Sequence, residues 1–386
     1  MQKNLNQKYS KLAVPIKSKG RIFFEPTNMF RTPYQRDRDR VVHSTAFRRL
    51  KHKTQVFVNT TGDHYRTRMT HSIEVAQIAR TLARYFNLNE DLCETLSLAH
   101  DLGHTPFGHA GEEVLNDCMS NYGGFDHNLQ TLRIVTLLEN KYYKFDGLNL
   151  TFETLDGLIK HNGPVAETDG IKKILGKNFK KNKLNFNNYP SLEAQLAAIS
   201  DDIAYNSHDL EDGLRAGLYK LADLEKISGL SLIIKKHKKN IRLRGTDLVI
   251  RQIIRDTINM MVNDIIKNTK ANIKKGKIKS ISDIYNCKEP LVEFSSKIKL
   301  FDVEIKAFLK KKMYFSKEVF AKTNLGKKII KFLFDKVKKK PNKFFKKNTN
   351  NSESLERQVS DFIAGMTDRY AINLYDSLKW IFLKTI

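Results

Sequence analysis

Apolar residues recur at spacings of three and four along much of this chain. The spacing is clear after His71, after His127 and between residues 192 and 203. It is the repeat of an amphipathic α-helix. Strand signals are few, and only residues 23–24 and 55–59 could form short extended pieces. The pattern therefore predicts an all-α chain with at most a small β-hairpin.

Length and composition are typical of a folded protein. With 386 residues, 40% of them hydrophobic, the chain can bury a substantial core. No apolar run is long enough to cross a bilayer, and residues 1–10 are too polar for a signal peptide. We expect a cytoplasmic protein without a membrane partner. Three widely spaced cysteines, Cys93, Cys118 and Cys287, argue against a disulfide framework.

The chain is strongly basic, with a formal net charge of +26. Residues 301–350 alone hold sixteen lysines and four acidic residues. Such a region can bind nucleic acid weakly and without sequence preference. The enrichment in lysine, asparagine and isoleucine is also what an AT-biased coding sequence produces, so charge alone assigns no function.

The densest chemical signal is a run of histidines. His100, Asp101, His104 and His109 fall within ten residues. Clustered histidines can cap helices or bond to buried carbonyl groups. However, an adjacent histidine and aspartate can ligate one divalent ion from neighbouring positions. The run therefore indicates a metal-centred hydrolytic site.

These residues carry a resemblance to a known family. His71, His100, Asp101 and Asp201 resemble the H…HD…D signature of the HD phosphohydrolase superfamily. The longer string HDLGHTPFGHAGE at residues 100–112 resembles the deoxynucleoside triphosphate triphosphohydrolase branch, commonly called dGTPases. Further matching segments lie at residues 46–57, 67–72, 125–135, 200–213 and 364–371.

The resemblance implies an HD core of packed helices. It places that core, with an N-terminal substrate-binding segment, at residues 1–218. A basic, mainly helical phosphohydrolase-associated region would follow at residues 219–386. The four signature residues would ligate a divalent ion, and His/Asp ligation is compatible with Mn, Mg, Fe, Ni, Co or Zn.

Asp202 is the alternative to Asp201 as the fourth ligand. Assigning Asp201 puts Tyr205 at i+4 and Asp209 at i+8, on the same helix face. Relatives hold an aromatic ring and a carboxylate against the nucleoside there. Asp202 would point about a quarter turn away and serve as a solvated or neighbouring carboxylate.

The implied reaction is attack of water on the α-phosphorus of a dNTP, which releases deoxynucleoside and triphosphate. We expect His109 to protonate the leaving 5′ oxygen, with Glu112 holding its ring. His104 and His127 would face the phosphates and are the next candidates for the acid. In relatives glutamate follows the histidine at the position of His127, but this chain has Asn128, which puts a base role for His127 in doubt.

Several matched residues suit a nucleotide substrate. Arg48 and Arg68 lie in the segments before and around His71, and the planar fork of arginine donors suits phosphate oxygens. By resemblance Arg68 would reach the phosphates and Gln55 the sugar or base. The alternative for each arginine is a surface ion pair.

Two further functions remain open from the sequence. The chain could be a single-stranded nucleic-acid-binding protein or a nuclease that uses the HD site. It could also be another HD nucleotidase or a guanosine polyphosphate hydrolase, although the extended string with His109 and Glu112 argues against that branch. The resemblance also implies a homo-oligomer.

Overall fold

Regular structure in this protein is helical. The structure is a computed structural model that describes residues 9–55, 65–178, 183–345 and 353–383. Its α-helices are Pro33–Val42 (α1), Thr45–Arg49 (α2), Arg68–Tyr85 (α3), Glu90–Ala99 (α4), His109–Cys118 (α5), His127–Arg133 (α6), Phe152–Ile159 (α7), Asp169–Leu175 (α8), Leu192–Arg215 (α9), Leu221–Leu224 (α10), Ser228–Lys238 (α11), Ile241–Arg244 (α12), Thr246–Lys275 (α13), Ile281–Tyr285 (α14), Ser296–Leu309 (α15), Lys317–Lys339 (α16), Leu355–Ala364 (α17) and Asp368–Leu383 (α18). Two π-helical segments, Ile134–Leu138 and Lys310–Tyr314, follow α6 and α15.

The prediction of an all-α fold is confirmed. Among the described residues there is no strand, and three isolated bridges join Arg21 to Thr151, Thr54 to Thr67 and Tyr142 to Phe145. Residues 23–24 form no strand, and residues 56–59 of the second predicted extended piece lie outside the described residues. No helix in the described ranges is both long and apolar enough to cross a membrane.

The centre of the fold is a bundle in which α3 packs against α4 and α9. On α3 the side chains of Val75, Ile78, Ala79 and Leu82 are buried. Their spacing of three and four places them on one face, and burial of that face drives the packing at about 25 cal/mol per Å² of apolar surface. α1 packs on α4. These helices fix the relative positions of the histidine-bearing segments.

The later helices pack on this bundle in two places. α13 and α15 cover α9, and their apolar cluster includes residues on both sides of position 218. α16, α17 and α18 form a separate cluster with α5, which includes Phe107, Leu115, Ile330 and Ile363. The predicted domain boundary at residue 218 stays a prediction, but helices from beyond it pack on α9 and on α5.

Helix ends deliver most of the predicted site residues. The Thr67 side chain caps α3 and places Arg68 and His71 in its first turn. Asp126 caps α6 at His127. His100 follows the last residue of α4. Because helix termini leave backbone groups unpaired, they are suited to polar side chains and anionic ligands.

Candidate active site

Three of the four predicted metal ligands converge. One donor atom from each of His71, His100 and Asp201 lies within 4.8 Å of the other two. The Nε2 atom of His71 is 2.8 Å from Oδ1 of Asp201, and the Nε2 atom of His100 is 3.6 Å from the same oxygen. Donor atoms that share a metal at about 2.0–2.2 Å lie at comparable separations.

His100 shows most clearly that this set fits a metal. Its Nδ1 atom lies 2.6 Å from the carbonyl oxygen of Ser97, an acceptor that holds the proton on Nδ1. The Nε2 atom is buried and makes no hydrogen bond among the described residues, and the charges of Asp101 and Asp201 outweigh burial and raise the pKa of His100 to about 9. A buried ring nitrogen that faces carboxylate oxygens suits a histidine ligand, because a metal ion can replace its proton. The residues present therefore fit a divalent ion.

Asp101, the fourth predicted ligand, lies between two histidines. Its Oδ1 atom is 3.4 Å from Nε2 of His100 and 3.2 Å from Nε2 of His104. Arg68 donates to its Oδ2 atom at 3.0 Å. Burial opposes ionisation, but the positive charges of His100 and Arg68 outweigh it and hold the pKa of Asp101 well below its usual value. Asp101 is thus an anion that connects the set of His71, His100 and Asp201, here called the metal cluster, to His104.

Asp201 and its neighbour point to different partners. Asp201 contacts His71 and His100. The charge of His100 outweighs burial and keeps the pKa of Asp201 well below its usual value. Asp202 accepts a hydrogen bond from Lys306 at 2.8 Å, and 45% of its side chain is exposed. This geometry follows the register argument that favoured Asp201.

Two histidines that the sequence did not single out border the metal cluster. His161, in the loop after α7, stacks on His100 with ring centroids 5.4 Å apart, and its Nε2 atom is 3.6 Å from Oδ2 of Asp201. His208 places its Nδ1 atom 3.4 Å from Nδ1 of His71. His208 lies seven residues after Asp201, a helical spacing that could have revealed it, whereas His161 carries no such signal.

A second cluster contains the predicted catalytic residues. Glu112 places Oε2 3.3 Å from Nδ1 of His109 and Oε1 2.8 Å from Nδ1 of His127. The rings of His104 and His127 stack with centroids 4.1 Å apart. The side chain of His109 is 70% exposed, so its ring is accessible to a ligand. One carboxylate therefore serves two histidines.

Glu112 supplies His127 with a carboxylate contact, although residue 128 is asparagine and not glutamate. Burial lowers the pKa of His127, but the hydrogen bond and charge of Glu112 outweigh burial and raise it. Burial and the charge of Arg68 hold the pKa of His104 well below its usual value. The stacked pair thus combines a neutral ring with a more basic one.

Gly108 allows the arginine to approach this cluster. Its φ is +57°, and a Cβ atom there would lie 2.9 Å from Nη2 of Arg68. Because glycine has neither the steric penalty nor the side chain, the guanidinium can lie against the loop that precedes α5. Arg68 is thereby positioned between Asp101 and Gly108.

Tyr205 and Asp209 share a polar cluster with a residue that the sequence did not reveal. The hydroxyl group of Tyr314 donates to Oδ2 of Asp209, and its ring centroid lies 6.5 Å from that of Tyr205. Burial raises the pKa of Asp209 to about 7. Tyr314 ends the π-helical segment after α15, within the lysine-rich region that showed no motif.

Gln55 and Arg48, the two remaining predicted substrate residues, lie in different surroundings. Gln55 is the last described residue before position 65, and its buried Oε1 atom has no partner among the described residues. Arg48 is exposed and donates to the carbonyl oxygen of His43 and the hydroxyl oxygen of Thr45. A substrate role for either residue stays a prediction.

Comparison with known proteins assigns the family. The HD domain model matches residues 68–206, and the phosphohydrolase-associated domain model matches residues 292–377. The deoxyguanosinetriphosphate triphosphohydrolase-like protein of Pelagibacter ubique (strain HTCC1062) is 61% identical over 366 residues, which cover 95% of this chain and 98% of the relative. A protein of the same description from Bartonella quintana (strain Toulouse) is 49% identical over 381 residues, or 95% of this chain and 94% of the relative. The chain is therefore an HD-domain phosphohydrolase and belongs to the deoxyguanosinetriphosphate triphosphohydrolase-like family.

Proposed function

We propose that this protein hydrolyses deoxynucleoside triphosphates to deoxynucleoside and inorganic triphosphate with the aid of a divalent metal ion. One observation carries the proposal: Oδ1 of Asp101 lies between His100 of the metal cluster and His104 of the second cluster. Ligands for an ion and candidate proton donors therefore share one site. The names of the relatives support the nucleotide class of the substrate.

The metal would be held by His71, His100, Asp101 and Asp201. A bound divalent ion polarises a phosphate oxygen and lowers the pKa of a coordinated water. His208 and the Ser97 carbonyl orient the rings of His71 and His100 through contacts to Nδ1. Such contacts hold a ligand in place before the ion binds.

His109 is the proposed proton donor. Its ring is exposed, and Glu112 lies 3.3 Å from Nδ1, which leaves Nε2 to face the leaving 5′ oxygen. Protonation of that oxygen avoids the release of an alkoxide, a poor leaving group at neutral pH. The contact of Glu112 with Nδ1 orients the ring.

The rest of the substrate would contact groups on either side. Arg68, His104 and His127 would face the phosphates, where positive charge and N–H donors bind oxygen atoms. Tyr205, Asp209 and Tyr314 would contact the nucleoside.

Product analysis tests the proposed reaction. Metal-loaded protein is incubated with each dNTP, and the products are separated by anion-exchange chromatography. Deoxynucleoside and triphosphate in equal amounts are expected. Pyrophosphate with a monophosphate, or stepwise release of orthophosphate, would contradict the proposal and favour another HD nucleotidase. Degradation of single-stranded DNA without dNTP hydrolysis would favour a nuclease.

Tyr314→Phe is expected to raise KM for the preferred dNTP about fivefold to tenfold with little change in kcat. The substitution removes the hydrogen bond to Asp209, worth about 1 kcal/mol in a typical case. Steady-state kinetics checks the result. Tyr375→Phe is the matched control, because Tyr375 packs on Phe332 in a different cluster. An unchanged KM for Tyr314→Phe would remove this residue from the nucleoside site.

The lysine-rich surface is expected to be peripheral to the reaction. Lys338 pairs with Glu356 at 2.9 Å, outside the histidine clusters, and residues 346–347 lie outside the described residues. Substituting glutamine at positions 338–340 and 346–347 should leave dNTP hydrolysis within about threefold, since charge of this kind gives binding without chemistry. The same variant should show a weaker salt dependence of binding to single-stranded DNA. Loss of hydrolysis in a folded variant would contradict this separation.

Assembly is a further part of the proposal. We expect a homo-oligomer, because the resemblance implies one. Light scattering of the purified protein gives the mass in solution, and a mass of one chain would contradict the expectation.

A further inference from the structure

The loop between α4 and α5 adopts a conformation that local sequence does not favour. Phe107, which is not glycine, has a φ of +62°, and Gly108 follows at +57°. A bulky residue in the left-handed region is strained and persists only when surrounding contacts hold it. This loop carries His104 and leads directly into His109. The contacts that hold it therefore also fix the relation between these two histidines.

A carboxylate from the far end of the chain supplies the first of these contacts. Asp368, the first residue of α18, is buried, and its Oδ1 atom accepts from the backbone N–H of Phe107 at 3.0 Å. Its Oδ2 atom accepts from the backbone N–H of Thr54 at 2.9 Å and from the Thr54 hydroxyl group. Both oxygens are engaged, so the side chain joins the loop to the segment that carries Gln55.

A buried lysine side chain supplies the second contact. Nζ of Lys53 donates to the carbonyl oxygen of His104 and to the carbonyl oxygen of Ala364 at the end of α17. Lys53 is 2% exposed. Burial lowers the pKa of Lys53 to about 7, and a buried polar group is costly unless it is hydrogen-bonded, so the two carbonyl contacts hold this side chain in place. It joins the loop at His104 to the turn between α17 and α18.

Packing supplies the third contact. The ring of Phe107 lies so close to Gly326 on α16 that a Cβ atom on Gly326 would be 2.8 Å from the ring Cγ. The glycine makes room for the strained residue. Three helices of the C-terminal part of the chain thus contact this loop.

We propose that Asp368 is a positioning residue: with Lys53, it holds the 104–109 loop in the shape that places His109 against the substrate. The phosphohydrolase-associated region would then complete the active site of the HD domain. The inference rests on the proposed function, in which His109 is the proton donor. Neither residue touches substrate, so both act through the loop.

Asp368→Asn is the test of this role. The amide keeps the shape of the side chain, but its NH₂ group faces one of the two N–H donors and cannot accept from it. We expect kcat to fall about tenfold to a hundredfold, because a small misplacement of a catalytic group has effects of this size. KM should change less than about threefold, and the bound metal should be unchanged, since none of the four predicted ligands lies within residues 104–109. Hydrogen exchange of the peptide that covers residues 104–109 should become faster.

Asp361→Asn is the matched control. Asp361 is a partly buried aspartate of the same region, but it pairs with Arg133 at 2.9 Å. In a folded protein this variant should retain kcat within about threefold and the exchange protection of residues 104–109, since the loop contacts remain. Equal loss of kcat in both variants would overturn the proposal, because it would indicate general destabilisation.

Lys53→Met keeps the inference testable if Asp368→Asn does not fold. Methionine has a similar length and removes only the donors to His104 and Ala364. The same fall in kcat and the same faster exchange are expected. Unchanged kcat and exchange in either folded variant would overturn the proposal. If the parent protein releases no triphosphate from any dNTP, the proposed function fails, whereas the exchange measurement still tests how the loop is held.

Discussion

Replacing His109 by alanine is expected to lower kcat by about 10²–10⁴-fold, the usual effect of losing a general acid. The side chain lies outside the metal cluster, so the metal content should equal that of the parent protein. Its ring is 70% exposed, and after its removal Glu112 still pairs with His127. Single-turnover kinetics together with metal analysis checks both expectations.

The matched control for His109 is His43→Ala. His43 is also exposed but follows α1, remote in sequence from the histidine run. It should hydrolyse dNTPs at the parent rate. Near-normal turnover by His109→Ala would transfer the acid to His104 or His127, and of these two His127 has the raised pKa.

Asp201→Ala is expected to abolish both metal binding and turnover. Asp201 contacts His71, His100 and His161, so its loss removes a ligand and the negative charge that balances the ion. Metal content after gel filtration and calorimetric titration with Mn²⁺ measure the binding directly. A fall in affinity of at least 10²-fold is expected for a lost ligand or its support.

Asp202→Ala provides a close comparison. It removes a neighbouring carboxylate that pairs with Lys306 and is 45% exposed. This variant should keep the metal and retain most of the activity. If Asp202→Ala loses the metal and Asp201→Ala does not, the register is wrong, and the positions assigned to Tyr205 and Asp209 must be revised with it.

The sequence allowed prediction of the parts that local spacing determines. The members of the histidine run lie close together because they are close in sequence. The i+4 and i+8 spacing places Tyr205 and Asp209 beyond Asp201 on α9. Apolar periodicity predicted α3 and α9, because each must bury one face. These are short-range relations that do not depend on how distant helices dock.

Contacts between distant segments could not be predicted in this way. Tyr314 reaches Asp209 across 105 residues, and Asp368 reaches Phe107 across 261. Nothing in the spacing of either residue identifies its partner, because docking of whole helices determines the contact. The loss of glutamate at position 128 was visible in the sequence. The contact of Glu112 with His127 was not visible, since this contact forms only where the starts of two helices meet.

The long separation of the loop contacts has a consequence for biosynthesis. Thr54 and Asp368 are 314 positions apart, and Lys53 and Ala364 are 311 apart. Since chains emerge from the ribosome from the N-terminus, all four predicted metal ligands are synthesised long before the groups that fasten the loop. A nascent chain that has reached the end of α9 already contains all four predicted metal ligands, but the loop before His109 gains these contacts only after Asp368 has been synthesised.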